Sequence, residues 1–145
     1  MPFVETITEI NGDVDQIFAL CMDMESFPQF MDDLESVKVI ERGSDWTITE
    51  WKTKLQGRPL RWLERDEFDP GAKRITYAMT EGDLAKFEGE WTITPVGSGA
   101  RVRLTVDFEL GIPMFASLLN PVATMMIRRN CEQMLAAIKR RVEGE

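Results

Sequence analysis

The 145-residue sequence contains no histidine. That absence excludes Ser-His and Cys-His catalysis and any His-ligated metal site. Cysteine is nearly as scarce. Cys21 and Cys131 stand far apart, each inside an apolar helical pattern, and are expected to be buried thiols of a reducing compartment; nothing in the pattern argues for a disulfide. No glycine-rich phosphate loop is present. No apolar run approaches the ~18 residues that a membrane span requires. The opening "MPFVETITEI" lacks the basic and apolar regions of a secretory signal, so the expected location is the cytoplasm. Positive charge is also in short supply: 17 Lys and Arg against 25 Asp and Glu give a net charge of −8. An acidic chain has no basic face for phosphates, which argues against a nucleic-acid partner. The two basic clusters, Arg128-Arg129 and Lys139-Arg140-Arg141, come late, and the second suits a helix C-terminus.

What is present is the composition of an ordinary globular protein, 43% hydrophobic and 29% charged, expected to form one domain over 1–145. "VETITEI" alternates as a strand. Asp13 followed by Gln16 predicts a capped helix to about Met24, and a second short helix is expected to start near Pro28. Six strand-like segments then follow, joined by short turns: "SVKVIER", "DWTITEWKTKL", "RPLRWLERDEF", "KRITYAMTE", "KFEGEWTITPV" and "ARVRLTVDFEL". Pro113 is read as opening a short turn, and Asn120-Pro121 as the N-cap and first turn of a helix to about Val142. Its apolar stripe is Val122, Met126, Cys131, Met134, Leu135 and Ile138. One antiparallel sheet wrapped around one long helix buries both apolar faces.

The stretch "LRWLERDEFDPG" does not follow the usual polar-out, apolar-in rule. Period-two alternation puts Leu60, Trp62, Glu64, Asp66 and Phe68 on one face. Either that face meets water, where carboxylates are ordinary, or it lines a cavity in which Glu64 and Asp66 act. Desolvation raises a carboxyl pKa, and two close carboxyls raise one of them further, which suits a general acid or base.

In its order of elements the chain resembles the helix-grip fold of the START-like, polyketide cyclase/dehydrase superfamily. The likeness is carried by "DMESFPQFMDDLESVKVI", "FEGEWTITPVGSGARVRLTVDFEL" and "RRNCEQML". It implies an α+β fold with a seven-stranded antiparallel sheet around the C-terminal helix and two short helices after the first strand. Within the superfamily the sequence is similar to single-domain aromatase/cyclases. The resemblance therefore implies a cavity that binds a poly-β-keto chain, tethered to a carrier protein, and directs aldol closure and dehydration. No cofactor or metal is implied. The alternative is a non-catalytic carrier of a hydrophobic ring or isoprenoid-like ligand.

The resemblance implies inward positions at Phe27, Met31, Trp62, Phe87 and Trp91; the alternation of the last two strands independently places Phe87 with Trp91 and sets Phe108 facing in. Trp51 and Tyr77 are further candidates for aromatic walls. Met126 would supply an adaptable apolar wall from the long helix. Asn130 is either a structural hydrogen bond or a donor to a ligand carbonyl. Departures fall at the centre of the site. The family cyclases carry Trp, Ser and Arg at alternate positions where this sequence has Trp62, Glu64 and Asp66, and an inward Arg65 would require a bulge. A pocket tyrosine of the family falls at Leu34. Glu64 and Asp66 are thus the candidate catalytic pair. The expected state is monomer or homodimer.

Overall fold

The computed structural model describes residues 3–55, 58–110 and 116–144. The order of elements is β1 (Phe3–Ile10), α1 (Val14–Met22), a 3₁₀ segment (Met24–Gln29), β2 (Leu34–Arg42), β3 (Trp46–Leu55), β4 (Arg58–Asp69), β5 (Arg74–Gly82), β6 (Lys86–Val96), β7 (Gly99–Glu109) and α2 (Ala116–Glu143). The strands form one antiparallel sheet in the order β1-β7-β6-β5-β4-β3-β2. β2 to β7 are a meander, and β1 closes it by pairing with β7, with Val4 opposite Val106 and Ile10 opposite Ala100. The expected α+β architecture is the one observed.

The helices show where local signals yielded to packing. The Asp13 carboxylate accepts the Gln16 backbone N–H at 3.1 Å and starts α1 as expected. α1 ends at Met22, however, and the 3₁₀ segment begins at Met24 with Pro28 near its end rather than its start. Met24 and Phe27 are buried there, so the chain is drawn inward before the proline. Pro28 has no N–H to give, and the segment closes through Phe30 N–H and Met31 N–H, both donating to the Phe27 carbonyl.

The long helix departs further from expectation. Pro121 lies inside α2, which has begun by Ala116, so Asn120 is not its N-cap. A proline this near the start removes one backbone bond without ending the helix. The expected turn at Pro113 lies outside the described residues. The first half of the apolar stripe is rotated by one residue, about 100° of helix, while Cys131, Leu135 and Ile138 are buried as expected. Val122 is 48% exposed, whereas Ala123, Ile127, Cys131, Leu135 and Ile138 are buried. Ala123 and Ala137 are buried as well, whereas Met125 faces water.

Both sheet edges are covered by side chains, which blunts their tendency to pair with other strands. On β1, Arg128 donates to the Glu5 carbonyl at 3.1 Å and Lys139 to the Glu9 carbonyl at 2.7 Å. On β2, the Glu25 carboxylate accepts the Val39 N–H at 2.9 Å. Arg140 and Arg141 sit in the last turn of α2, where cations oppose the helix dipole.

Cys21 and Cys131 are free and buried. Burial pushes each thiol up to about 12, so almost no thiolate forms near neutral pH. Both are therefore expected to stay silent toward an aromatic disulfide reagent in native buffer and to react once denaturant is added. Rapid reaction of Cys21 without denaturant would show that α1 does not hold its inner face against the sheet.

Candidate functional site

Burial settles which way the mixed face of β4 points. Trp62, Glu64 and Asp66 are 9%, 3% and 0% exposed, while Arg61 and Glu67 face water. The strand pairs with β3 on one side, Trp62 opposite Trp51 and Glu64 opposite Thr49. On the other side a register shift follows Leu63–Glu81, so that Glu64 lies opposite Met79 and Thr80 is the extra residue. That bulge is on β5, not β4, and it does not turn Arg65 inward. The Arg65 guanidinium lies 4.4 Å over the Trp46 ring and pairs with Glu67 at 3.0 Å. No arginine takes the place that Asp66 occupies.

Beneath this face is a cavity of ≈ 90 Å³ between the sheet and α2. Of the residues singled out in the sequence, Trp51, Trp62, Tyr77, Phe87, Trp91 and Asn130 line it together with Glu64. The indoles of Trp51 and Trp62 stack at 5.7 Å and 7°, and Phe87 lies 5.1 Å from Trp62 and 5.9 Å from Tyr77. These rings make flat, apolar walls.

Five expected residues do not reach the wall. Phe27 is fully buried behind it, its ring 6.1 Å from Trp51 and 6.0 Å from Trp91, so it supports the wall from outside. Met31 and Phe108 are buried in the core without lining the cavity. Met126 is displaced by the rotated stripe, and Ile127 and Met134 line the cavity from α2 in its stead. Asp66 lies behind Glu64. Leu34, Leu60 and Leu84 also line the cavity. Their side chains are apolar like those of the core, so only the fold distinguishes the two uses.

The two carboxyl groups form one hydrogen-bonded unit. Trp62 Nε1–H donates to Glu64 Oε1 at 2.8 Å. The Thr49 and Thr47 hydroxyls donate to Asp66 Oδ2 at 2.7 and 2.9 Å, and Trp51 Nε1–H donates to Thr49 Oγ1 at 2.8 Å. Asp66 Oδ1 is buried and receives no amide, hydroxyl or cationic donor among the described residues. The Glu64 and Asp66 carboxyl groups are neighbours close enough to interact directly. Two carboxylates cannot share a hydrogen bond unless one holds a proton.

Burial pushes the Glu64 carboxyl well above its ordinary range, and the charge of Asp66 adds to the rise. Burial also raises Asp66, though the bonds from Glu64, Thr49 and Thr47 hold it back. The pair as a unit therefore keeps a proton to higher pH than a free carboxyl group does. The cavity wall thus carries a carboxyl group with a raised pKa, backed by a second one, in apolar surroundings.

Tyr77 is anchored by a local exception in the sheet. Its hydroxyl donates to the Thr105 carbonyl at 2.6 Å, across Gly89, its partner on β6. A Cβ on Gly89 would fall 2.0 Å from that carbonyl and 2.8 Å from the phenol oxygen, so only glycine leaves the path open. The freed Thr105 hydroxyl takes the Glu90 N–H at 3.0 Å. Among the described residues, no three His, Cys, Asp or Glu side chains converge as metal ligands.

Residues 10–135 match the family model described as polyketide cyclase/dehydrase and lipid transport. The chain belongs to that family. Among solved structures, a protein of Thermus thermophilus is 31% identical and superposes with a TM-score of 0.94, over 99% of this chain and 98% of that one. An aromatase/cyclase of Streptomyces sp. R1128 has a TM-score of 0.89 at 18% identity, over 97% and 93% of the two chains, a likeness of fold. Major latex protein 146 of Papaver somniferum is 27% identical over 111 residues, 70% of each chain. This member of the polyketide cyclase/dehydrase family has the helix-grip fold, with the cavity between its sheet and α2. Its inward carboxyl pair is set by its own β4 sequence. No described helix is long and apolar enough to cross a membrane.

Proposed function

We propose that this protein is a cyclase-type enzyme that holds a short poly-β-keto or aromatic intermediate in the cavity and moves its protons through Glu64. The observation that carries the reading is the buried Glu64–Asp66 pair at an apolar, aromatic-walled cavity. An inert carrier gains nothing from burying two acids, because desolvating them costs stability. A general acid or base needs a pKa near the working pH, and burial of Glu64 shifts it in that direction. Enolisation and loss of water from a β-hydroxy ketone both require such a proton carrier. Asp66 is a positioning residue in this scheme: it orients Glu64 and receives its proton, but does not line the cavity. The flat rings of Trp51, Trp62 and Phe87 hold the substrate in one conformer, which supplies the larger share of the rate.

The size of the cavity refines the substrate. At ≈ 90 Å³ it is below the ~300–1,000 Å³ of clefts that enclose drug-sized ligands. A single ring or a short diketide segment suits it better than a long folded chain. A thioester arm reaching to a carrier protein would leave through the mouth.

The test is the exchange of α-hydrogens of a β-keto pantetheine thioester in deuterated buffer, followed by NMR. Wild-type protein is expected to accelerate exchange over buffer in a saturable manner. If the thioester binds without exchange, the carrier reading replaces the enzymatic one, with a hydrophobic ring or isoprenoid-like molecule as cargo.

A further inference from the structure

The hydrogen-bonding inventory of the cavity is lopsided. On the Glu64 side, the wall's N–H and O–H groups are already committed within the protein. Trp62 donates to Glu64, Trp51 to Thr49, Tyr77 to the Thr105 carbonyl and Thr53 to the Asp33 carbonyl. The Thr47 and Thr49 hydroxyls point back to Asp66. Asp66 Oδ1 is buried beside Glu64 with no other donor among the described residues, so a proton held by the pair is best satisfied between its two members. What remains toward the cavity is lone pairs on the Glu64 carboxyl group and on the Tyr77 phenol oxygen. Elsewhere on the wall, Asn130 and Trp91 make no side-chain hydrogen bond among the described residues, and both carry N–H groups that can meet a carbonyl. No lysine or arginine lines the described wall.

We infer that the cavity selects a neutral ligand that donates a hydrogen bond to Glu64, a hydroxyl on a flat ring or an enol, and rejects an anion of the same shape. A ligand offering only an acceptor leaves the Glu64 lone pairs buried and unanswered, which costs as much as a lost hydrogen bond. An anionic ligand would place a second negative group against a buried acid pair with no cation to balance it. A phenol or enol satisfies Glu64 through its O–H and can lie against the stacked indoles of Trp51 and Trp62. This inference rests on the cavity being the ligand site, but not on its being catalytic.

Three probes of one shape separate the possibilities: 4-ethylphenol, 4-ethylanisole and 4-ethylbenzoate, each titrated at pH 7. Binding is read from the indole N–H signals in two-dimensional NMR spectra. Trp46 stacks under Arg65 away from the cavity and serves as the internal control. The phenol is expected to shift the signals of Trp51, Trp62 and Trp91 saturably. The anisole should bind on the order of ten-fold more weakly, the usual worth of one unanswered buried acceptor. The benzoate should not saturate. In Glu64→Leu, the phenol's advantage over the anisole should shrink to about three-fold or less.

Equal affinity for phenol and anisole in the wild-type protein would overturn the inference, as would binding of the benzoate as tight as the phenol. Neither comparison needs the variant to fold. If none of the three moves the cavity indoles, the ligand-site reading fails along with it. Binding without preference sinks the donor rule alone.

Discussion

Glu64→Gln is expected to lower the rate of α-hydrogen exchange by ~10²–10⁴, the usual worth of general acid–base catalysis, while leaving the fold intact. Glutamine keeps an oxygen for Trp62 Nε1–H and an N–H for Asp66, so the hydrogen bonds of the pair have replacements. What it loses is the exchangeable proton. Asp66→Asn should lower the rate less, through Glu64, and shift the pH–rate profile, since it removes the charge that helps raise Glu64.

The same substitutions carry a signature in stability. Glu64 and Asp66 both have folded pKa values above their unfolded ones. Such groups favour the folded state fully below the unfolded pKa, and that contribution is lost as pH rises through the folded value. Wild-type stability should therefore fall from about pH 4 upward through the range in which the pair ionises. Each proton held by the folded but not the unfolded chain is worth about 1.36 kcal/mol per pH unit. Glu64→Gln and Asp66→Asn should flatten that slope and stabilise the protein at neutral pH relative to wild type. Urea unfolding from about pH 4 to about pH 8 measures it; parallel curves for wild type and both variants would mean that the pair ionises freely in the fold.

Phe27→Ala should be the most destabilising single truncation in the wall's support. The ring is fully buried and touches Phe30, Trp51 and Trp91, each at about 6 Å between centroids. Large-to-small changes of this kind cost about 3–5 kcal/mol, because the cavity left behind does not fully collapse. Tm should fall by on the order of 10 °C. Phe27→Leu should recover most of the loss. A cost under ~1 kcal/mol for the alanine variant would place Phe27 at an open wall, as a ligand contact, instead of in the core.

These two cases mark what kinds of residue were legible in the sequence. Glu64 was visible because it breaks a pattern: a carboxyl on the same strand face as Trp62 has either water or a purpose as its reason. Phe87 and Trp91 are legible because a period of two puts them on one face, and Trp51 and Tyr77 because they are aromatic residues in strands. Phe27, Met31 and Phe108, expected at the cavity, belong to the core. Apolar side chains look the same whether they fill space or bound it. Met126 and Val122 failed for a different reason. Helical periodicity tolerates a rotation of about 100°, and the choice between Val122 and Ala123 depends on how closely α2 approaches the sheet.

The sequence by itself determined the succession of short-turned strands and the closing helix, because short turns and alternation leave an antiparallel meander few other ways to bury its apolar face. Whether the mixed face of β4 meets water or the interior was open in the sequence, and burial in the fold decided it. Tertiary structure alone decided where the wall ends and the core begins. It set the start of α2 ahead of Pro121, and it put Asp66 behind Glu64 in the keeping of Thr47 and Thr49. It also carried the Tyr77 hydroxyl across Gly89 to the Thr105 carbonyl. These are contacts between residues distant in the chain, and their energies depend on distances that no local pattern encodes.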